Sequence, residues 1–375
     1  MRNRLLKKVE LAPDSVDLET ALSGHPAEPV GIEFLSQPQL FNVGNEKILR
    51  GRLRYDSPSE RARFEAALST FDVSYFYERV DGQTVATVTY PKAPVLPPEW
   101  RWNLALFLLT VVSTLWAGAF LAGESPDFLF RDPGKLVAGL PFSASIMGIL
   151  AAHEFGHYIA ARRYGLHVTL PFFIPLPLIS PIGTLGAVIR MRTPVYTPRM
   201  LLDVGAAGPL AGMLVAIPVA IYGIQTSSAL PIGSVEGIQL GEPLLFKWFV
   251  AWFASYPEAT HDLFLNPVAF AGWIGLFVTA LNMLPIGQLD GGHVLYALLG
   301  RGQHRIAQAF FFALLIMGWW WSGWYLWAIL VLFIIRIKHP PVLDADQRLG
   351  PGRQIVGWLS VAILVLCFSP IPFKF

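Results

Sequence analysis

From about residue 100 onward the chain is a succession of long apolar runs separated by short polar stretches, whereas the first hundred residues alternate apolar and charged positions. The apolar runs predict membrane-spanning helices at about Trp102–Ala122, Val137–Tyr164, Leu201–Gly223, Pro267–Leu284, Ile306–Trp320, Gly323–Ile337 and Ile355–Pro372, about seven in all. Leu244–Tyr256, with Trp248, Phe249, Trp252 and Phe253, reads instead as an amphipathic segment lying in the bilayer interface. Residues 167–190 are equally apolar, but Pro171, Pro175, Pro177 and Pro181 forbid a continuous helix. Non-helical backbone at that depth has to be buried in protein or line a wet cavity.

The N-terminal pattern is that of a small soluble domain over residues 1–92. Lys47–Tyr55 alternates as a strand does. Ser57-Pro58-Ser59-Glu60 places a capping serine, a first-turn proline and an acid three residues on, which predicts a helix to about Thr70. Phe71–Arg79 and Thr84–Tyr90 read as a hairpin around Asp81-Gly82. The expected unit is β-α-β-β, with residues 1–40 unassigned. A proline-rich linker, residues 93–101, then leads through Trp100 and Trp102, aromatics suited to a bilayer interface, into the membrane domain, residues 102–375.

Composition agrees with this division. With 54% hydrophobic and 14% charged residues the chain has too few charges for a soluble globular protein, and its basic residues form no nucleic-acid footprint. The single cysteine, Cys367, lies in the last apolar run, so neither a disulfide framework nor thiolate ligation is expected. No apolar h-region follows Met1-Arg2-Asn3-Arg4, so insertion is expected to rely on the internal helices. Lys and Arg concentrate on one side of the threading, as at Arg101, Arg162, Arg163, Arg190 and Arg305, which makes that side and the N-terminal domain cytoplasmic.

The chemistry is concentrated in His153-Glu154-Phe155-Gly156-His157, inside the second apolar run. On a helix, residues four apart share a face, so both imidazoles can reach one Zn²⁺, with Glu154 beside the metal as a general base for an activated water. Two helix-surface histidines are the alternative, but ionisable groups at membrane depth point to function. A catalytic zinc takes three protein ligands. Asp203 opens a span near Arg199 and reads as an interfacial charge. Asp290 follows an apolar helix broken by Pro285, with Gly287, Gly291 and Gly292 permitting a sharp return toward a neighbouring helix, which makes it the third ligand or else a capping residue in a turn.

His153-Glu154-Phe155-Gly156-His157 together with Asn282, Pro285, Asp290 and Gly291 closely resembles the paired motifs of the site-2 protease family of intramembrane zinc metalloproteases. The resemblance covers roughly residues 100–372. It implies that His153, His157 and Asp290 bind zinc, that Glu154 is the catalytic base, and that Asn282 orients or stabilises the reacting carbonyl. It extends to Gly183-Thr184-Leu185-Gly186, similar to a substrate-side strand, with Gly183 and Gly186 as substrate-binding candidates, and to the glycines at 205, 208 and 212. Without the resemblance, Asn282 reads as interhelical glue, Gly183 and Gly186 as loop flexibility, and the later glycines as close helix packing. His293 is a residue near the metal or an interfacial histidine, and His339, in His339-Pro340-Pro341, a structural turn residue.

The implied fold is a polytopic α-helical membrane protein with a re-entrant or extended segment near the active site and a small N-terminal cytoplasmic α+β domain. The implied activity is hydrolysis of peptide bonds in or beside a substrate's transmembrane helix, in a bacterial inner membrane. The loop 225–265 is too short for a PDZ insertion. A non-proteolytic scaffold of the same family and a metal transporter remain the alternatives, and no feature fixes an oligomeric state or a particular substrate.

Overall fold

The computed structural model describes residues 8–10, 32–43, 46–71, 73–80, 82–90, 99–125, 131–178, 180–191, 195, 197–233, 239–254, 256, 260–340, 342 and 347–374. The prolines of 91–98, Asp81 and most of residues 1–31 lie outside these. The chain forms two compact units, residues 1–97 with 162–167 and 192–194, and residues 98–161, 168–191 and 195–375.

In the first unit, strands β1 (Lys8–Glu10), β2 (Leu35–Val43), β3 (Glu46–Leu53), β4 (Ser74–Val80) and β5 (Gln83–Tyr90) form an antiparallel sheet in the order β1-β2-β3-β5-β4. Helix α1 (Pro58–Leu68) starts as the sequence implies, with Ser57 Oγ accepting the Glu60 amide at 3.2 Å. It buries Phe64 and Leu68 against Leu35, Leu49, Ala86 and Val88. The unassigned 1–40 segment needs correction, because β2 begins within it. Its alternation is interrupted by Pro38, which has no amide proton, at a bulge between Ser36 and Gln39, and Gln37 takes φ 50° to absorb the extra residue.

The second unit is mostly helical. Helix α2 (Trp100–Leu121) is followed by a 3₁₀ segment (Pro133–Gly139) that leads into α3 (Leu140–Arg163), and α4 (Pro198–Thr226) runs through Pro209 and Pro218. These three helical stretches are long and apolar enough to cross a membrane. The remaining helices are shorter. They are α5 (Leu244–Phe253), α6 (Pro267–Asn282), α7 (Asp290–Leu299), α8 (Gln303–Met317), α9 (Gly323–Leu330, extended by a π turn Val331–Ile335) and α10 (Pro351–Cys367). Small residues bring α4 and α6 into backbone contact: a Cβ on Gly272 would lie 2.5 Å from Ala220 Cα, and one on Gly223 would lie 2.3 Å from Ala269 N.

The proline-rich 167–190 stretch is a hairpin of β6 (Phe172–Pro175) and β7 (Thr184–Val188). Its backbone is tied to α2 by side chains. Asn103 Nδ2 donates to the carbonyls of Leu170 (2.9 Å) and Pro171 (3.1 Å), and Ser113 Oγ donates to that of Gly183 (2.5 Å). Carbonyls released by the prolines thereby find donors inside an apolar unit. Asp203 is an arginine-paired charge, as its setting implies: Arg353, far along the chain, grips both carboxylate oxygens at 2.8–3.0 Å.

In the first unit, the Asp56 carboxyl accepts from Thr84 Oγ1 (2.6 Å) and Arg61 Nε (2.9 Å), and these bonds hold it below the usual carboxylate range. A depressed folded-state pKa contributes stability above the unfolded value that is lost as pH falls through the folded one. Wild type is therefore expected to be more stable than Asp56→Asn at pH 7, with the gap closing on acidification below about pH 4. Hydrogen-exchange protection of β5 measures this.

Candidate metal centre

Helix α3 presents His153 and His157 one turn apart, with ring centroids 4.8 Å apart and Nε2 atoms 3.1 Å apart. The third group arrives because α6 ends at Asn282. Pro285 prevents continuation, the chain turns with Gly287 at φ 52°, and α7 restarts at Asp290. Gly291 and Gly292 let this turn close on itself, since a Cβ on either would meet the carbonyls of Met283 or Gly287 at 1.9 and 2.4 Å. Asp290 Oδ2 then lies 3.2 Å from His153 Nε2 and 3.3 Å from His157 Nε2.

The protonation of one ring is set by its outer nitrogen. His157 Nδ1 lies 2.7 Å from the Val204 carbonyl, which can only accept, so Nδ1 carries the proton and Nε2 turns a lone pair inward. Two imidazole nitrogens and a carboxylate oxygen thus converge with both histidines buried. With both rings neutral, such lone pairs and the carboxylate repel, and a cation among them removes that cost. Ligands at roughly 2.0–2.1 Å from a tetrahedral centre lie about 3.3–3.4 Å apart, close to the triangle formed here, so the set fits a single Zn²⁺-sized ion with one corner left free. Among the described residues this is the one group of three such side chains able to hold a metal.

Glu154 is buried alongside, and its carboxylate accepts a backbone hydrogen bond from Ile189, just past β7. Asn282 at the end of α6 brings Nδ2 to 3.3 Å from His153 Nε2. The five polar residues singled out in the sequence are therefore assembled from α3, α6 and α7 in one place. The two glycines of the hairpin separate. Gly183 (φ 72°) packs on α2, where a Cβ would come within 2.5 Å of the Ser113 carbonyl, whereas Gly186 (φ 103°) faces open space beside the exposed Leu185 and Val188.

Helix α4 is pressed against the back of the site by its glycines. A Cβ on Gly208 would sit 2.1 Å from His157 Nε2, and one on Gly212 would sit 3.3 Å from His153 Cβ. Their four-residue spacing is that of close helix packing and gives no sign that the neighbour is a histidine ring. Asn103 and Ser113 likewise give no sign in the sequence, being ordinary polar residues in an apolar run whose partners are backbone carbonyls about seventy positions away.

Comparison with known proteins leads to the same place. The model of peptidase family M50 matches residues 141–318, a stretch containing all five polar residues. The chain is 30% identical over 311 residues to the Arabidopsis thaliana protein named "Probable zinc metalloprotease EGY2, chloroplastic", covering 79% of this chain and 54% of that protein. It is 28% identical over 298 residues to "Probable zinc metalloprotease EGY1, chloroplastic" of Oryza sativa subsp. japonica, covering 72% and 51%. The chain belongs to peptidase family M50, the site-2 protease family. It spans about half the length of these relatives.

Because Gly208 leaves room for the His157 ring, Gly208→Ala is expected to displace that ring and weaken metal retention at least about tenfold. Metal content after graded chelator treatment, read by mass spectrometry, checks this.

Proposed function

We propose that the chain is an intramembrane zinc endopeptidase that hydrolyses peptide bonds in or beside transmembrane helices of membrane-protein substrates. The observation that carries this reading is the convergence of His153 Nε2, His157 Nε2 and Asp290 Oδ2 beside the buried Glu154, within a unit built from apolar helices. The zinc-metalloprotease names of the relatives point the same way.

His153, His157 and Asp290 would hold zinc, which when bound would supply Lewis acidity for a water and for the scissile carbonyl. Glu154 takes the proton from the attacking water and delivers it to the leaving amine as the C–N bond breaks. The Asn282 amide donates to the oxyanion that develops on the carbonyl. A substrate helix hides its carbonyls in its own hydrogen bonds, so it has to be unwound before attack. The outer edge of β7, with exposed Leu185 and Val188 and the open Gly186, offers a strand on which the extended segment is held next to Glu154, while Gly183 anchors the hairpin on α2.

In this reading the shorter apolar helices α6, α8, α9 and α10 complete about seven spans, α5 lies in the interface, and the arginine-rich ends of the spans support a cytoplasmic N-terminal unit in a bacterial inner membrane. A metal transporter requires further ligands along a path, and among the described residues no second such group converges. A non-proteolytic scaffold of the family is separated by experiment. Purified wild type is expected to carry one zinc and cleave single-span peptides in liposomes, and Glu154→Gln to keep its zinc and lose about 10²–10⁴ in rate. Zinc retention with no cleavage by wild type across a broad panel would favour the scaffold. Asn282→Ala is expected to lower kcat about 10²–10³-fold with its zinc retained, measured on the same peptides.

A further inference from the structure

The turn that delivers Asp290 is held from outside by a segment some fifty residues away, immediately after the π turn. The amide of Gly287 donates to the Ile337 carbonyl at 3.0 Å, and the Arg336 carbonyl, on a residue at φ 66°, occupies the space a Gly287 side chain would need. Gln303 Nε2 donates to the Pro285 carbonyl at 3.0 Å. At the centre is His339, 4% exposed, stacked on the Tyr296 ring with centroids 4.4 Å apart.

The hydrogen bonds around His339 have a fixed direction. Nδ1 lies 2.5 Å from the Pro340 carbonyl, which can only accept, so Nδ1 carries the proton and Nε2 a lone pair. That lone pair lies 2.7 Å from His293 Nδ1, which must therefore be the donor. His304 Nε2 lies 3.1 Å from the His339 carbonyl and donates to it. Burial holds His293 and His339 below the usual histidine range, in keeping with two neutral rings. His293 sits one turn after Asp290 on α7, with its Cβ packed on Gly205 of α4, where a Gly205 Cβ would come within 2.9 Å of it. The residue is thus held at its Cβ by α4 and at its ring by His339, and with it the first turn of α7.

We propose that His339 is a positioning residue for the metal centre, acting through His293 to fix the first turn of α7 and so the place of the Asp290 carboxylate. This rests on the metalloprotease reading only in taking Asp290 as a ligand. The residue is not a solvent-facing turn position, because its imidazole is stacked, buried and bonded through both nitrogens. The acceptor at Nε2, rather than bulk, is the feature that matters.

Two polar substitutions separate these contributions. Glutamine places an amide oxygen near the Nε2 position and can accept from His293, whereas asparagine is too short to do so. In purified full-length protein, His339→Gln is expected to hold Zn²⁺ within about threefold of wild type in chelator competition. His339→Asn is expected to hold it about 10–100-fold more weakly, the usual cost of losing a residue that orients a ligand. The visible bands of the Co²⁺-loaded protein should shift for asparagine and stay near wild type for glutamine. With peptide substrate, asparagine should lower kcat and leave KM near wild type, because β7 is untouched. Equal, wild-type-like affinity and Co²⁺ spectra for both variants would overturn the proposal, and so would equal weakening of both. Metal binding is read without proteolysis, so a failure here leaves the protease reading standing. Loss of that reading would instead appear as wild type that binds Zn²⁺ and cleaves nothing.

Discussion

The structure depends on the need to neutralise converging lone pairs and a carboxylate in a place that water does not freely fill. His153, His157 and Asp290 approach one point at separations of 3.1–3.3 Å, where neutral rings leave repelling lone pairs that a cation among them relieves. Each neighbouring element is shaped to make that approach possible. Helix α4 gives up side chains at Gly208 and Gly212 so that the rings fit, and its Val204 carbonyl fixes the His157 tautomer. Helix α6 stops so that Asp290 can return on α7, and the Ile335–Pro340 segment holds that return in place.

The second constraint is the backbone. Prolines at 171, 175, 177 and 181 rule out helix in an apolar stretch, and a hairpin leaves carbonyls that need donors. Asn103 and Ser113 on α2 supply them, which fixes β6 and β7 on α2. The bond from Ile189 to Glu154 links the end of this hairpin to that carboxylate, so the strand proposed to hold an extended substrate ends beside the proposed base.

Much of this was legible from sequence where the determining contacts are local. Helical spacing places His153 and His157 together without knowledge of the fold, Ser57 and Glu60 mark the start of α1, and Pro285 with its following glycines marks the turn before Asp290. Features set by distant partners were not legible. The role of His339 depends on His293, forty-six positions earlier, and Asp203 pairs with Arg353, one hundred and fifty positions later. Strand β2 escaped because Pro38 disrupts its alternation. Hydropathy also does not say how much of an apolar run stays helical: the runs expected as spans after residue 260 are helices of 8–17 residues.

If two imidazole nitrogens and one carboxylate oxygen of this chain hold a single zinc with a free corner, extended X-ray absorption at the zinc edge of the purified protein will show it. The expected spectrum is a four-coordinate shell of nitrogen and oxygen at about 2.0–2.2 Å, with imidazole back-scattering from two rings. A sulfur neighbour at about 2.3 Å, a six-oxygen shell, or a single imidazole would contradict it.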